Sequence, residues 1–167
     1  LYHVEEVPTT RTLEKQFRKN GPIFGLEEDH GTSLTSVLDV YEKKQWNGSN
    51  ILAYSEDKLY SEFEKALGNE PYSEMVFDME EWAKYFALSD VFGSYHGTVP
   101  KSVKFYYNPV IGKYQPLLFD AHIGAGDFSN FFFIDFLTDN ETALCEWICS
   151  HKRFYHGFFN NEKFVKK

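Results

Sequence analysis

Residues 103–120 have the sequence VKFYYNPVIGKYQPLLFD, and this stretch decides the fold. Two runs rich in β-branched and aromatic residues, 103–107 and 114–119, flank a segment that contains asparagine, proline and glycine. This pattern is typical of a β-hairpin. Pro116 has no backbone N–H, so we expect the second strand at a sheet edge or at an unpaired ladder position. Asp120 directly follows the hairpin.

The segment before the hairpin has the pattern of an amphipathic helix. Asp78 and Glu81 have the spacing of a capping box, and Gly93 ends the helix. Asp90 falls on the apolar stripe near the end of this helix, where it either braces the following loop through backbone N–H groups or contributes to a site. The apolar residues that define the stripe are Met79, Trp82, Ala83, Phe86 and Ala87.

The other segments complete an α+β pattern for a single domain spanning residues 1–167. A weak helical stripe in residues 30–50 consists of Leu34, Val37, Leu38 and Tyr41. The tail, residues 160–167, is expected to fray. The remaining predicted elements are a short helix capped by Thr10 or Thr12 and ending at Asn20, an extended piece at residues 22–26, a helix at residues 55–67 capped by Ser55, and a helix at about residues 141–154.

Composition narrows the class of protein. Hydrophobic residues make up 43% of the chain and charged residues 25%, as in an ordinary folded domain. Aromatic residues reach 19%, and we expect most of them in the core, with a minority free to line a groove. The net charge of −8 argues against a nucleic-acid partner, because binding phosphate backbones needs a positive surface.

Targeting and cysteine signals are sparse. No apolar run reaches the roughly 20 residues of a membrane span, and no signal peptide is visible in this segment. The first residue is Leu1, which suggests a piece of a longer polypeptide. Cys145 and Cys149 lack the further ligands of a zinc site and are interpreted as structural or incidental thiols.

The order of the elements points to a chemistry. In protein kinases a catalytic loop orients the acceptor hydroxyl, and an Asp after a hairpin holds magnesium against the phosphates. This chain has a helix, a loop, a hairpin and then an acid between Asp78 and Asp120. A tight hairpin can hold the loop before it and the carboxylate after it at one edge, within reach of one metal ion.

The residues themselves resemble those of the CotH family, whose members are spore-coat and surface proteins with an atypical protein-kinase fold. The resemblance is strong from Phe77 to Asp120 and thinner upstream. It is carried by Phe77 and Asp78, by residues 82–88, 90–97, 103–109, 112–114 and 119–120, and more weakly by residues 2–6, 13–15 and 21–23.

The resemblance implies a kinase-like fold, built mainly from the helices of the large lobe, with the hairpin carrying a metal-binding Asp120. It also implies phosphate transfer from Mg²⁺-ATP to Ser or Thr of protein partners. His96 and Ser102 occupy the loop positions where the family carries an Asp and an Asn. Around the phosphoryl site the sequence therefore offers His96 and Asp90 as catalytic candidates and Ser102 as a phosphate or metal contact.

An alternative is a non-catalytic pseudokinase module, exported or surface-associated, that binds coat proteins, other proteins or glycans. The altered loop residues, His96 and Ser102, motivate it. No phosphate-covering Gly-x-Gly-x-x-Gly loop or Val-Ala-x-Lys strand occurs in the chain, so the small lobe is expected upstream of Leu1 or is missing. The other histidines lack metal-ligand spacing, and no Gly-x-Ser-x-Gly motif supports a hydrolase.

Overall fold

The computed structural model describes residues 7–26, 38–121, 133 and 152–166. Within these ranges the chain is an α+β domain with six α-helices and a four-stranded antiparallel sheet, which confirms the predicted class. In chain order the elements are α1 (Thr10–Lys15), β1 (Ile23–Leu26), β2 (Leu38–Val40), α2 (Lys43–Trp46), α3 (Asn50–Leu67), α4 (Met79–Phe92), a 3₁₀ helix (Tyr95–Thr98), β3 (Lys104–Asn108), β4 (Lys113–Leu117), α5 (Lys152–Phe159) and α6 (Glu162–Val165).

The predicted hairpin is present as β3 and β4, which pair over their full length in an antiparallel register. The strand order is β2-β1-β3-β4, so the hairpin forms one side of the sheet. Pro116 lies in β4 at the end of this order, as its missing N–H requires. The sheet therefore consists of a local hairpin and two further strands. β1 pairs with β3, and β2 pairs with β1, through residues distant in sequence.

One face of the sheet carries the main core. Phe24, Phe105 and Tyr114 point to this face, and helices α3, α4 and α5 cover it. Trp82 of α4 is fully buried, stacks on Phe158 of α5 with ring centroids 4.6 Å apart, and donates from Nε1 to the backbone oxygen of Tyr114 at 3.0 Å. The high aromatic content is thus largely core, as the composition predicts.

The opposite face is only partly covered. Leu13 of α1 packs there on a small cluster of Ile23, Tyr106 and Leu117. Alternation along each strand places Gly25, Asp39 and Lys104 on this same face, with Lys104 directly opposite Leu117 of that cluster. The main core therefore covers the first face of the sheet, and part of the second face beside α1 is left uncovered.

The bounds of α4 are as predicted, with Asp78 as N-cap and Gly93 as C-cap in the left-handed region at φ 64°, but the predicted capping box does not form. The Asp78 side chain makes no cap bond and instead accepts from Gln115 Nε2 at 2.7 Å, which links the helix to β4. Of the predicted stripe, Met79, Trp82 and Phe86 are buried, whereas Ala87 is exposed.

Helix α3 begins five residues before the predicted start. Ser49 is the N-cap and accepts from the Leu52 N–H at 3.2 Å. Ser55, which the sequence suggested as the cap, is buried inside the helix and donates to the Ile51 carbonyl at 2.7 Å. The cap was misplaced because a serine in mid-helix can satisfy its hydroxyl on the preceding turn.

Three further predictions were wrong in part. Residues 38–40 form β2 and not a helical stripe, because β1 supplies a partner strand; Leu34 and Val37 lie outside the described residues. The short first helix ends at Lys15 and not at Asn20. The tail is ordered as α6, where Asn161 caps the helix and Phe164 is 5% exposed.

The predicted helix at residues 141–154 falls mostly outside the described residues, as do Cys145 and Cys149. Its described part, α5, continues to Phe159. Gly157 of α5 lies against the ring of Tyr72: a Cβ at Gly157 would come within 2.3 Å of Tyr72 Cε2, and the Tyr72 N–H donates to the Gly157 carbonyl at 2.6 Å. In the described part of the chain, no helix has the length and apolar character needed to cross a membrane.

Two buried tyrosines provide a test of the core. The hydroxyl of Tyr72 has no hydrogen-bond partner among the described residues, whereas that of Tyr114 donates to the Ser55 carbonyl at 2.5 Å. We expect Tyr72→Phe to stabilise the fold by about 1 kcal/mol and Tyr114→Phe to destabilise it by a similar amount, because a buried unpaired hydroxyl is costly. Urea unfolding of both variants measures this. Loss of stability in Tyr72→Phe would contradict the assignment.

Alkaline pH should unfold the protein. Burial raises the pKa of Tyr72, Tyr85 and Tyr114 above the ordinary value of about 10, so above that pH the unfolded chain loses tyrosine protons that the folded chain keeps. Stability is complete below about pH 10 and falls above it, by up to about 1.4 kcal/mol per pH unit for each buried tyrosine.

The measurement is the urea midpoint between about pH 9 and 11.5, across the ordinary tyrosine pKa. Tyr85→Phe should flatten the decline. Tyr54→Phe, at a tyrosine that is 56% exposed, is the matched control and should leave the decline unchanged. Identical pH profiles for Tyr85→Phe and the unchanged protein would refute the argument.

Candidate functional site

The open end of the β3–β4 hairpin brings together two of the predicted site residues. Ser102 stands just before β3 and Asp120 just after β4, so the pairing of the strands sets them side by side. The Ser102 hydroxyl donates to Asp120 Oδ2 at 3.1 Å. Ser102 is 3% exposed, and its hydroxyl therefore acts as a fixed donor to the carboxylate.

His96 reaches the same carboxylate from the 3₁₀ helix. Its Nδ1 lies 2.8 Å from Asp120 Oδ2, and the side chains of the two residues are 18% and 27% exposed. Asp120 Oδ2 thus lies beside both His96 and Ser102, which the sequence placed around one site.

Close backbone packing places the 3₁₀ helix. A Cβ on Gly97 would lie 2.9 Å from the Phe119 carbonyl oxygen and 3.2 Å from Ala121 Cα, so only glycine lets this turn approach the chain around Asp120. Tyr85 of α4 donates its buried hydroxyl to the Gly97 carbonyl at 2.5 Å. The core helix and the missing side chain together fix His96 beside Asp120.

The backbone of Asp120 is strained. Its φ is 52°, in the left-handed region, which costs a residue with a side chain roughly 1–2 kcal/mol. Aspartate tolerates this region better than most residues. Strain of this kind persists where surrounding contacts hold the residue and often marks a functional position.

A pocket of about 540 Å³ opens beside Asp120 on the less covered face of the sheet. It combines apolar walls with positive and negative groups, so it suits a ligand that carries charge. Its lining residues are Leu26, Asp39, Tyr41, Lys101, Ser102, Lys104, Phe119 and Asp120.

Lys104 is one of the residues of this pocket that the sequence interpretation did not identify. It is 4% exposed; its Nζ donates to the Lys101 carbonyl at 2.9 Å and lies 4.7 Å from the centre of the Phe119 ring. A buried ammonium is rare unless carbonyl, aromatic or anionic groups surround it. The signal in the sequence was a lysine inside the apolar run 103–107 of a strand buried along its length.

Asp90, the other catalytic candidate, has a different neighbour. It lies on α4, and its Oδ1 accepts from the backbone N–H of Phe133 at 2.8 Å. The acceptor role toward a backbone N–H is of the predicted kind, but its donor is Phe133 and not the loop that follows the helix. Asp90 does not line the pocket that contains Asp120.

The arrangement limits the chemistry. In a Ser-His-Asp triad the histidine lies between the serine and the acid, and it activates the hydroxyl. Here the acid lies between the other two, and Ser102 donates to Asp120. This order does not activate Ser102 as a nucleophile, and it leaves His96, beside the carboxylate, as the candidate proton acceptor.

The pocket fits a magnesium ion that arrives with phosphates better than one held by protein alone. Among the described residues, no group of three or more His, Cys, Asp or Glu side chains could hold a metal ion. Magnesium bound with a nucleotide commonly uses one or two carboxylates and takes its other ligands from phosphates and water. Asp120 lines the pocket and can supply such a carboxylate, whereas Asp39 lies on β2, at the other side of the sheet from the hairpin.

Comparison of the chain with protein-family models, with curated proteins and with solved structures found no match. The site is therefore interpreted from its own geometry and from the residues of the sequence.

The close packing of Gly97 predicts that a side chain at this position disturbs the site. Gly97→Ala should push the 3₁₀ helix away from Phe119, lower stability by about 1–3 kcal/mol and break the His96–Asp120 contact. In ¹H–¹⁵N spectra the His96 ring signals should then move toward those of Asp120→Asn.

Gly48→Ala is the control for a general loss of stability. Gly48 has φ 74°, and a Cβ at this position would have no neighbouring atom within 4 Å, so alanine there strains the backbone without touching a neighbour. Its His96 signals should match those of the unchanged protein. If Gly97→Ala and Gly48→Ala give the same His96 signals, the packing argument fails.

Proposed function

We propose that this chain is part of a CotH-like phosphotransferase that moves phosphate from Mg²⁺-ATP to Ser or Thr of a protein. One observation carries the proposal: His96, Ser102 and Asp120 meet at the open end of the hairpin, beside a charged pocket. A kinase-like fold, with the hairpin between the catalytic loop and the metal-binding acid, is part of the same proposal. The residue resemblance between Phe77 and Asp120 gives it further support.

In this proposal each residue has one task. Asp120 would hold the magnesium, which supplies charge neutralisation on the phosphates when bound. Ser102 keeps the Asp120 carboxylate in position. His96 takes the proton of the acceptor hydroxyl, as the hydroxyl oxygen bonds to the γ-phosphorus and the bond from that phosphorus to the ADP oxygen breaks. Asp90 supports the site indirectly through its bond to Phe133.

Replacing Asp120 tests the proposal. Asp120→Asn keeps the shape of the side chain and removes its charge, so we expect ATP binding in Mg²⁺ to weaken at least about tenfold and phosphate transfer to fall at least about a hundredfold. Calorimetry and transfer from labelled ATP to a casein-like acceptor measure the two effects.

Asp57→Asn is the matched control, because Asp57 is an exposed acid on α3 and its replacement changes the net charge by the same amount. It should bind and transfer like the unchanged chain. Equal ATP affinity in Asp120→Asn and Asp57→Asn would rule out the metal-binding role of Asp120.

The second candidate is a non-catalytic module, exported or on the cell surface, that binds coat proteins, other proteins or glycans. It is favoured by the contacts of Asp120 Oδ2, which accepts from Ser102 and lies 2.8 Å from His96, an arrangement that can be purely structural. This candidate predicts no transfer from ATP. Transfer that disappears in Asp120→Asn would decide against it.

A further inference from the structure

The floor of the pocket is a row of three residues on neighbouring strands. Gly25 of β1 is directly opposite Asp39 of β2, so the two residues belong to the same face of the sheet. On the other side of Gly25 runs the side chain of Lys104 from β3. Asp39 and Lys104 are thus separated by a residue that has no side chain.

Gly25 lets the Lys104 side chain and the Tyr41 ring lie close against β1. A Cβ at this position would lie 3.3 Å from Lys104 Nζ and 3.3 Å from the Tyr41 ring. A larger side chain would extend into the pocket that Asp39, Tyr41 and Lys104 line. The glycine does not serve a tight turn, because it lies inside β1 and its φ is not in the left-handed region.

The surroundings of Lys104 suit a cation. Its Nζ contacts the Lys101 carbonyl and lies 4.7 Å and 5.8 Å from the ring centres of Phe119 and Tyr41. Carbonyl oxygens and aromatic faces favour the charged ammonium. Lys101 adds a second positive group to the same pocket.

We infer that Lys104 binds a phosphate group of the pocket's ligand, and that Gly25 provides the room for the Lys104 side chain. The inference builds on the proposed function, because it names the residue that would hold the nucleotide's phosphates. The positive groups Lys104 and Lys101 line the pocket together with the acids Asp39 and Asp120. Magnesium should therefore strengthen binding by offsetting the acids, while the contact to Lys104 remains without the metal.

The test uses ADP and inorganic pyrophosphate, each titrated calorimetrically in EDTA and then in Mg²⁺. Lys104→Met keeps the length of the side chain and loses the charge, so both ligands should bind at least about tenfold more weakly under both conditions. Lys113→Met is the matched control, since Lys113 stands at the other end of the same hairpin. It should bind as the unchanged chain does.

Gly25→Val is the second variant, and it leaves every charge in place. Valine suits a strand, so the fold should persist in a thermal melt, while its side chain should displace the Lys104 ammonium and reduce the affinity for both ligands at least about tenfold. The result for Gly25→Val remains informative if Lys104→Met fails to fold.

The outcomes separate this inference from the proposed function. If Lys104→Met and Gly25→Val bind ADP normally while Asp120→Asn does not, Lys104 is excluded and the phosphotransferase proposal survives. If pyrophosphate binds in a Lys104-dependent way and ADP does not bind, the phosphate contact is supported and the claim that the ligand is a nucleotide is rejected. If the unchanged chain binds neither ligand, both ideas fail.

Discussion

The rest of the structure depends on how the hairpin is anchored at Tyr114. Its backbone oxygen accepts from Trp82 Nε1 and from the Asp78 N–H, and its own N–H donates to the Val76 carbonyl at 2.7 Å. Its hydroxyl binds the Ser55 carbonyl. One residue of the edge strand thereby joins α3, α4 and the segment between them to the sheet. The outer edge of β4 is also occupied at this point, which limits pairing with another chain.

One face of the sheet carries the stabilising core, and the other carries the polar groups of the candidate site. Aromatic side chains and three helices fill the first face, and this packing holds the hairpin rigidly. Asp120 can therefore keep a strained backbone, because its neighbours are positioned by a core in which it takes no part. Polar and charged groups gather on the second face, where α1 covers only part of the sheet.

Local signals predicted the local features. The hairpin, the edge position of Pro116 and the bounds of α4 follow from turn residues, periodicity and caps within a few residues. Placing His96 and Ser102 near Asp120 followed from the order of the elements and from the resemblance. Asp39 and Lys104 were missed because their proximity depends on the pairing of β1 with β2 and β3, which no local pattern specifies. The order of the tail was missed for the same reason, since Phe164 is buried by contacts with α4 and α5.

The contact between Gly157 and Tyr72 has a consequence for evolution. The ring of Tyr72 fills the volume that any side chain at position 157 would need, and these two positions are far apart in sequence. A larger residue at 157 is therefore acceptable only after the aromatic ring at 72 has become smaller. Among relatives of this chain the two positions should change together, and a relative that keeps an aromatic residue at 72 should keep glycine at 157.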